Sequence, residues 1–250
     1  MEISVIIPAY NEESIIKKCV ANMHAFLSTH YKEFEIIVVD DGSKDDTIKL
    51  ISNMNLSNLH IISYFKNRGK GFAVRKGVFA ATGDCIVYYD ADIAYSPNYI
   101  TACMNSLKHS DIAIGSRYIY ANAKPYENDR LRRFLSKSYN FLIKLFLRIK
   151  ASDVQCGFKG FKANVAREVF ARQNIKGYAF DIEILKNAQK SKFDIVEFPI
   201  KQSDEPSRPS KVRPIKDSFD MFVSIFKVLK GNSRSKKSEK GVELCQPLAE

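Results

Sequence analysis

The 250-residue sequence contains no run of about 20 apolar residues, so no segment reads as a bilayer-spanning helix. Its start, MEISVIIPAYNEE, has no basic stretch ahead of the apolar run, and that run stops at Pro8. A buried strand is expected there, not a signal peptide. Five cysteines (Cys19, Cys85, Cys103, Cys156, Cys245) are scattered, odd in number and free of CxxC spacing. They suggest neither a disulfide framework nor a zinc site, and leave reduced thiols in the cytosol as the plain expectation. With 11 Gly and 8 Pro the chain is neither collagen-like nor dominated by linkers, and it shows no internal repeat.

What is present is a core and a charge. Hydrophobic residues make up 45% and aromatic residues 12%, enough for one large folded domain. Lys and Arg number 39 against 28 Asp and Glu, a net charge of +11 that points to an acidic partner: nucleic acid, anionic lipid or a phosphorylated substrate. Composition does not choose among the three.

Through the first half, short β-branched runs at Ile3–Ile7, Phe34–Val39, Leu59–Ser63, Cys85–Tyr89 and Asp111–Gly115 read as strands. Between them, Glu12–Phe26, Asp45–Met54, Gly71–Ala81 and Asn98–Leu107 carry apolar residues at helical spacing. The alternation predicts an α/β fold with a mostly parallel sheet, whose ligands bind beyond the carboxyl ends of the strands. Later come a long basic helix over Arg130–Lys150, a strand over Val154–Lys162, a helix over Tyr178–Gln189 and a strand over Ile195–Ile200. A breaker-rich loop, SDEPSRPSKVRP, leads to a last amphipathic helix over Ile215–Leu229, and the polar tail is expected to be disordered.

Three strand ends carry polar chemistry. The first strand runs into Pro8-Ala9-Tyr10-Asn11-Glu12 and the second into Asp40-Asp41-Gly42-Ser43. A tight turn with a helix N-cap explains one such motif, but two on neighbouring parallel strands suit the hydroxyls and base N–H groups of a nucleoside. The fourth strand runs into Asp90-Ala91-Asp92, two carboxylates that can face one cation. Mg²⁺ uses one or two carboxylates plus substrate phosphates, and without a cation the two like charges repel. After the third strand, NRGKGFAVR departs from the dinucleotide fingerprint, because Val74 stands where Gly or Ala is wanted and the motif does not follow the first strand. Glycines beside Arg68, Lys70 and Arg75 at a helix start suit either an anionic group or a plain helix entry.

Taken together, IIPAYNEE, VVDDGSKDDT, NRGKGFAVRKG, YYDADIA and IGSR, followed by CGFKGF, YAFDIEIL and PSK, resemble the family 2 glycosyltransferases over about residues 1 to 213. Within the family the pattern is most similar to the polyprenyl-phosphate hexosyltransferases, on NRGKGFAVRKG, DVQCGFKGF and AFDIEIL to the dolichyl-phosphate β-glucosyl type. The resemblance implies a GT-A fold, a Rossmann-like nucleotide-diphospho-sugar transferase domain. Residues 1–118 would form its nucleotide-sugar half and 119–213 its acceptor half, with 214–231 a C-terminal helix and 232–250 the tail.

The resemblance also implies roles. Pro8, Tyr10, Glu12 and Asp41 match nucleoside-binding positions, and Asp90 and Asp92 the metal pair for Mg²⁺ or Mn²⁺, with Ala91 between them. Lys70 falls among the donor-binding residues, as do Arg208, Lys211 and Arg213, on or beside a loop with Ser210 that closes over the donor. Arg117, Arg132 and Ser136 match positions that hold the lipid phosphate, with Arg117 counted among the catalytic group. Ala94 stands where mannosyl relatives carry a metal-serving Gln, which points away from GDP-mannose.

The implied reaction moves a hexose, glucose from UDP-glucose first, onto a polyprenyl or dolichyl phosphate, inverting the anomeric centre. Three alternatives stay open: a GDP-mannose-dependent relative, a family 2 transferase extending a glycan or glycolipid hydroxyl, and a basic nucleic-acid-binding module. A hydroxyl acceptor would need a base, for which Asp181 is the candidate, with helix capping or pairing to an arginine as its structural alternative. The third alternative lacks any nucleic-acid motif, so no nucleic-acid partner is expected.

From Lys124 to Lys150 there are eight Lys or Arg against two acids, while Phe134, Leu135, Phe141, Leu142, Leu145, Phe146 and Ile149 form an apolar face. Such a helix either lies on a membrane surface or packs on the core with its charged side solvated. The glucosyl relatives carry an N-terminal spanning helix that this sequence does not show. Peripheral attachment to the cytoplasmic face of a membrane is therefore expected, endoplasmic reticulum in a eukaryote or plasma membrane in a prokaryote, with a membrane-anchored partner subunit as the other route.

Overall fold

The computed structural model describes residues 2–92, 95–119 and 151–201, with single positions at 147, 149, 223 and 228. Among these residues seven strands form one sheet: β1 (Ile3–Ala9), β2 (Phe34–Asp40), β3 (Leu59–Ser63), β4 (Cys85–Tyr89), β5 (Ile112–Ser116), β6 (Phe158–Lys162) and β7 (Ile195–Pro199). Their order is β3-β2-β1-β4-β6-β5-β7. All pairs are parallel except those of β6, which runs antiparallel between β4 and β5. All seven residues of β2 are buried, as are all but Pro8 of β1. This is why both strands read as continuous Val/Ile runs: a strand covered on both faces has no polar alternation.

The helices that cover the sheet are α1 (Ile16–His30), α2 (Thr47–Ser52), α3 (Lys70–Ala80), α4 (Tyr99–Leu107), α5 (Ala163–Ala171) and α6 (Phe180–Lys190). Helix α1 buries Ile16, Cys19, Val20, Met23 and Leu27, one stripe at three and four residue spacing. Helix α3 lies so close to β1 that a Cβ on Gly77 would stand 2.4 Å from Ile6 Cγ2.

At the amino end of the sheet, the buried Glu35 accepts from Ser4 Oγ (2.6 Å), Thr82 N (2.7 Å) and Thr82 Oγ1 (2.8 Å). Burial alone would raise the Glu35 pKa, but these donors hold it below the ordinary glutamate value.

Element types follow the sequence reading; other element ends shift by up to four residues, and three differences are larger or bear on the site. Helix α1 starts at Ile16 and not Glu12, because residues 11–15 form a turn in which the Glu12 carbonyl accepts from the N–H groups of Ile15 and Ile16. Strand β6 starts at Phe158 and not Val154, because residues 153–157 build part of the site described below. Helix α5 has no counterpart in the sequence reading, although Val165, Ala166, Val169 and Phe170 form its buried face. The long basic helix, the closing loop, the last helix and the tail lie outside the described residues, save four positions: Leu147, Ile149 and Val228 are buried in the core and Val223 is partly buried.

Candidate active site

The chain leaves β1 for β2 and β3 on one side, then crosses back to place β4 on the other. A crevice therefore opens between β1 and β4 at their carboxyl ends, where open α/β sheets bind ligands. Pro8 is the last residue but one of β1, Tyr10 and Glu12 follow that strand, Asp41 follows β2, Lys70 starts α3 after β3, and Asp90 to Asp92 follow β4. One end of the sheet thus gathers every described donor-side residue expected from the sequence.

The loops after β1 and β2 hold each other. Asn11 N donates to Ser43 Oγ and Lys44 N to Asn11 Oδ1, both 2.8 Å. Glu12 N donates to Thr47 Oγ1 (2.8 Å), Glu13 N to Asp45 Oδ2 (3.1 Å) and Asp46 N to Glu13 Oε2 (3.0 Å). Asn11 adopts a φ of 52°, a left-handed conformation that Asn tolerates better than most residues. The acidic and amide side chains of both motifs thus build a rigid double turn that holds Tyr10 and Glu12 at the crevice.

Asp41 is buried, and its two oxygens accept from the N–H groups of Arg68 (2.7 Å) and Gly69 (2.8 Å). It fastens the NRGKG loop to the end of β2. Gly42 (φ 76°) lets this loop approach, since a Cβ there would stand 2.8 Å from Asn67 N. Asp41 therefore shapes this side of the crevice through the backbone it holds.

Helix α3 begins with Lys70, whose Nζ lies 2.7 Å from Asp90 Oδ1 and 2.8 Å from Oδ2. Burial would lower the lysine's pKa, but the combined pull of Asp90, Asp181 and Asp92 raises it, so it stays an ammonium. The thiol of Cys19, on the buried face of α1, is pushed up by its burial and then by Asp92, Glu12 and Asp90. Antiparallel β6 brings Gly157 beside the end of β4: Asp90 N donates to Gly157 O (3.0 Å), and a Cβ on Gly157 would stand 2.0 Å from Asp90 Oδ2. Only glycine leaves the carboxylate its place.

Under this site lies a closed buried network. Lys159, 1% exposed, donates to Asp181 Oδ1 (2.7 Å) and to the Cys156 carbonyl, and the Tyr88 hydroxyl also donates to Asp181 Oδ1. Burial and the adjoining Asp181 push the Tyr88 pKa well above its ordinary value. Glu183, two residues further into α6, accepts from Asn174 N (2.9 Å) and Ile175 N (2.7 Å) and so caps a turn. The sequence reading missed Gly157 and Lys159; the glycine and lysine of CGFKGF, on a strand beside the acidic pair, were the signal.

Arg117 lies at the same sheet end, after β5. Asp153 accepts its Nε (2.7 Å), its Nη2 (2.8 Å) and its backbone N–H (3.1 Å), while Glu197 orders the turn through Ser152 N and Asp153 N. Arg117 is thus oriented by a buried carboxylate. Ala94, Arg132, Ser136, Arg208, Ser210, Lys211 and Arg213 lie outside the described residues.

The donor set fits a hard divalent cation. Among the described residues no group of three or more His, Cys, Asp or Glu forms a complete metal cage. Two carboxylates at a crevice, already drawing an ammonium onto both oxygens of Asp90, match an ion that takes its remaining ligands from phosphate and water.

A mostly parallel sheet interrupted by one antiparallel strand, with acidic strand ends at its switch point, defines the GT-A class of sugar-nucleotide transferases. The fold is similar to that of glucosyl-3-phosphoglycerate synthase from Mycobacterium tuberculosis in complex with Mn²⁺, UDP and phosphoglyceric acid. The TM-score is 0.68 at 20% identity, over 91% of this chain and 77% of that one. The sequence pattern of glycosyl transferase family 2 matches residues 4–170. The chain belongs to glycosyl transferase family 2, and is a glycosyltransferase. Among its relatives, the dolichyl-phosphate beta-glucosyltransferase of Dictyostelium discoideum is 32% identical over 241 residues, 90% of this chain and 73% of that protein. The Drosophila melanogaster enzyme of the same name is 32% identical over 244 residues, 91% and 74% of the two chains.

Proposed function

We propose that the enzyme transfers glucose from UDP-glucose to a dolichyl or other polyprenyl phosphate, inverting the anomeric centre to give a β-linked lipid-phosphate sugar. The observation that carries this reading within the family is the state of Asp181. A hydroxyl acceptor needs a general base, and this carboxylate is already committed to the Lys159 ammonium and the Tyr88 hydroxyl. A phosphate monoester has a second pKa near 6, is largely dianionic at neutral pH, and attacks without a base. The names of the relatives support the same acceptor and sugar.

In the mechanism, Tyr10 and Glu12 meet the nucleoside on the double turn, and Asp41 sets the loop beside it. Asp90 and Asp92 would hold Mg²⁺ or Mn²⁺, which supplies charge neutralisation at the departing diphosphate. Gly157 keeps the Asp90 carboxylate in place. Lys70 adds a positive charge at the helix start, and the Asp90 contact aims it. Arg117, held in position by Asp153, is assigned with Arg132 and Ser136 to the acceptor phosphate, where a planar guanidinium suits phosphate oxygens. Arg208, Lys211 and Arg213 are assigned to closure over the diphosphate.

No helix among the described residues is long and apolar enough to cross a membrane. The proposal places the enzyme peripherally on the cytoplasmic face of the membrane that holds its acceptor, endoplasmic reticulum or plasma membrane, aided where needed by a membrane-anchored subunit.

A donor screen tests the reading. UDP-glucose and GDP-mannose are each supplied with a short-chain polyprenyl phosphate and Mg²⁺ or Mn²⁺. Transfer from UDP-glucose is expected. Transfer from GDP-mannose alone would replace the sugar assignment, and transfer only to a sugar hydroxyl would replace the acceptor.

A further inference from the structure

The loop between β3 and α3 displays a phenyl ring in water on a fastened backbone. Phe65 is fully exposed, at 106% of its reference area, although the backbone of residues 65–67 packs on Gly42 and Asp41 grips the next N–H groups. Such a loop does not relieve the exposure by folding inward. From here a stripe continues along α3. Phe72, Lys76 and Phe79 fall at i, i+4 and i+7, on one helix face and about 10 Å long at 1.5 Å per residue. Lys76 is exposed and Phe79 is half exposed. Arg68 lies over the Phe72 ring at 4.2 Å and Lys76 over the same ring at 5.9 Å, so charge and aromatic surface are interleaved.

The charge has one sign. Between Ile61 and Gly83 the chain carries Lys66, Arg68, Lys70, Arg75 and Lys76 and no Asp or Glu. Exposed aromatic rings beside exposed amines, without acids to neutralise them along the segment, match the two terms of interfacial binding: apolar insertion at the acyl boundary and attraction to anionic headgroups.

We propose that this surface, centred on Phe65, Phe72 and Phe79 with Lys66, Arg68 and Lys76, docks the enzyme on an anionic lipid bilayer. Position supports this assignment. Phe65 follows β3 at the carboxyl end of the sheet, and α3 begins with the lysine that contacts Asp90, so the Phe65 end of the stripe borders the catalytic crevice while its Phe79 end runs along the flank of the sheet. Leu147 and Ile149, at the end of the basic segment, are buried in the core. The inference deepens the proposed acceptor assignment and rests on it for its purpose, but the binding event is measured without it.

The test uses the full chain and co-sedimentation with vesicles of phosphatidylcholine, alone or mixed with phosphatidylserine. The wild type is expected to sediment with the mixed vesicles and to be released by salt. Phe65→Ser with Phe79→Ser should weaken this binding on the order of tenfold even at low salt, and Lys66→Gln with Lys76→Gln by a similar factor with a shallower salt dependence. Both double variants should keep the wild-type melting temperature and UDP affinity. Wild-type sedimentation by both variants, or a wild type that ignores anionic vesicles and instead binds a protein partner through these residues, overturns the proposal. If the acceptor assignment alone is wrong, vesicle binding follows the expected pattern while a soluble polyprenyl phosphate receives no sugar.

Discussion

Gly157 and Asp90 are matched so closely that a single methyl group separates a working carboxylate from a displaced one: a Cβ on the glycine would lie 2.0 Å from Oδ2 and 2.3 Å from Cγ of the acid. The register of antiparallel β6 against β4, with Phe158 opposite Tyr89, brings the two together.

Gly157→Ala is therefore expected to push the Asp90 side chain out of the crevice. UDP affinity in the presence of Mn²⁺, measured by calorimetry, should fall on the order of tenfold, about 1.4 kcal/mol. UDP affinity without metal should change far less. Equal losses with and without metal would assign Gly157 to general packing.

The Lys159–Asp181 pair is a buried ion pair, so removing one partner leaves the other charge uncompensated. Lys159→Met should cost about 3–5 kcal/mol in urea unfolding, and pairing it with Asp181→Leu should recover much of the loss. The rate of transfer to a phosphate acceptor in Asp181→Asn should show no new dependence on pH between 6 and 8, about the range where a lost base would show. A rate that collapses in Asp181→Asn while stability holds would make this carboxylate the base.

Stability at acid pH is tied to Glu35, whose folded-state pKa is lowered against burial by Ser4 and Thr82. A lowered carboxylate contributes stability above its unfolded pKa and loses it as pH falls through the folded value. The thermal midpoint should accordingly hold from neutrality down to the ordinary glutamate value of about 4.5 and decline below it. Asp45 and Asp111, also lowered, add to the same decline. Glu35→Gln should lower the midpoint at neutral pH and flatten the acid slope.

The strands and the acidic strand ends were legible because buried parallel strands write themselves as Val/Ile runs and the chain must leave each at the ligand-binding end. Long-range pairings were not. Nothing near Lys159 in sequence says that Asp181 will meet it, nor that Asp41 will accept from the Arg68 and Gly69 amides. Arg117 was expected at the acceptor phosphate, and its tie to Asp153 depends on the turn before β6, which the sequence does not show. Helix α5 was overlooked because its nine residues directly follow a strand, with Lys162 ending β6 and Ala163 opening the helix.

The central claim is most directly tested by following labelled glucose from UDP-glucose into the lipid fraction, with a polyprenyl phosphate and Mn²⁺, for the wild type and Asp92→Ala. The account predicts a β-linked glucosyl phosphate lipid from the wild type, its loss on chelation of the metal, and almost none from Asp92→Ala despite an unchanged melting temperature. An α-linked product, or undiminished transfer by the Asp92→Ala enzyme, would contradict it.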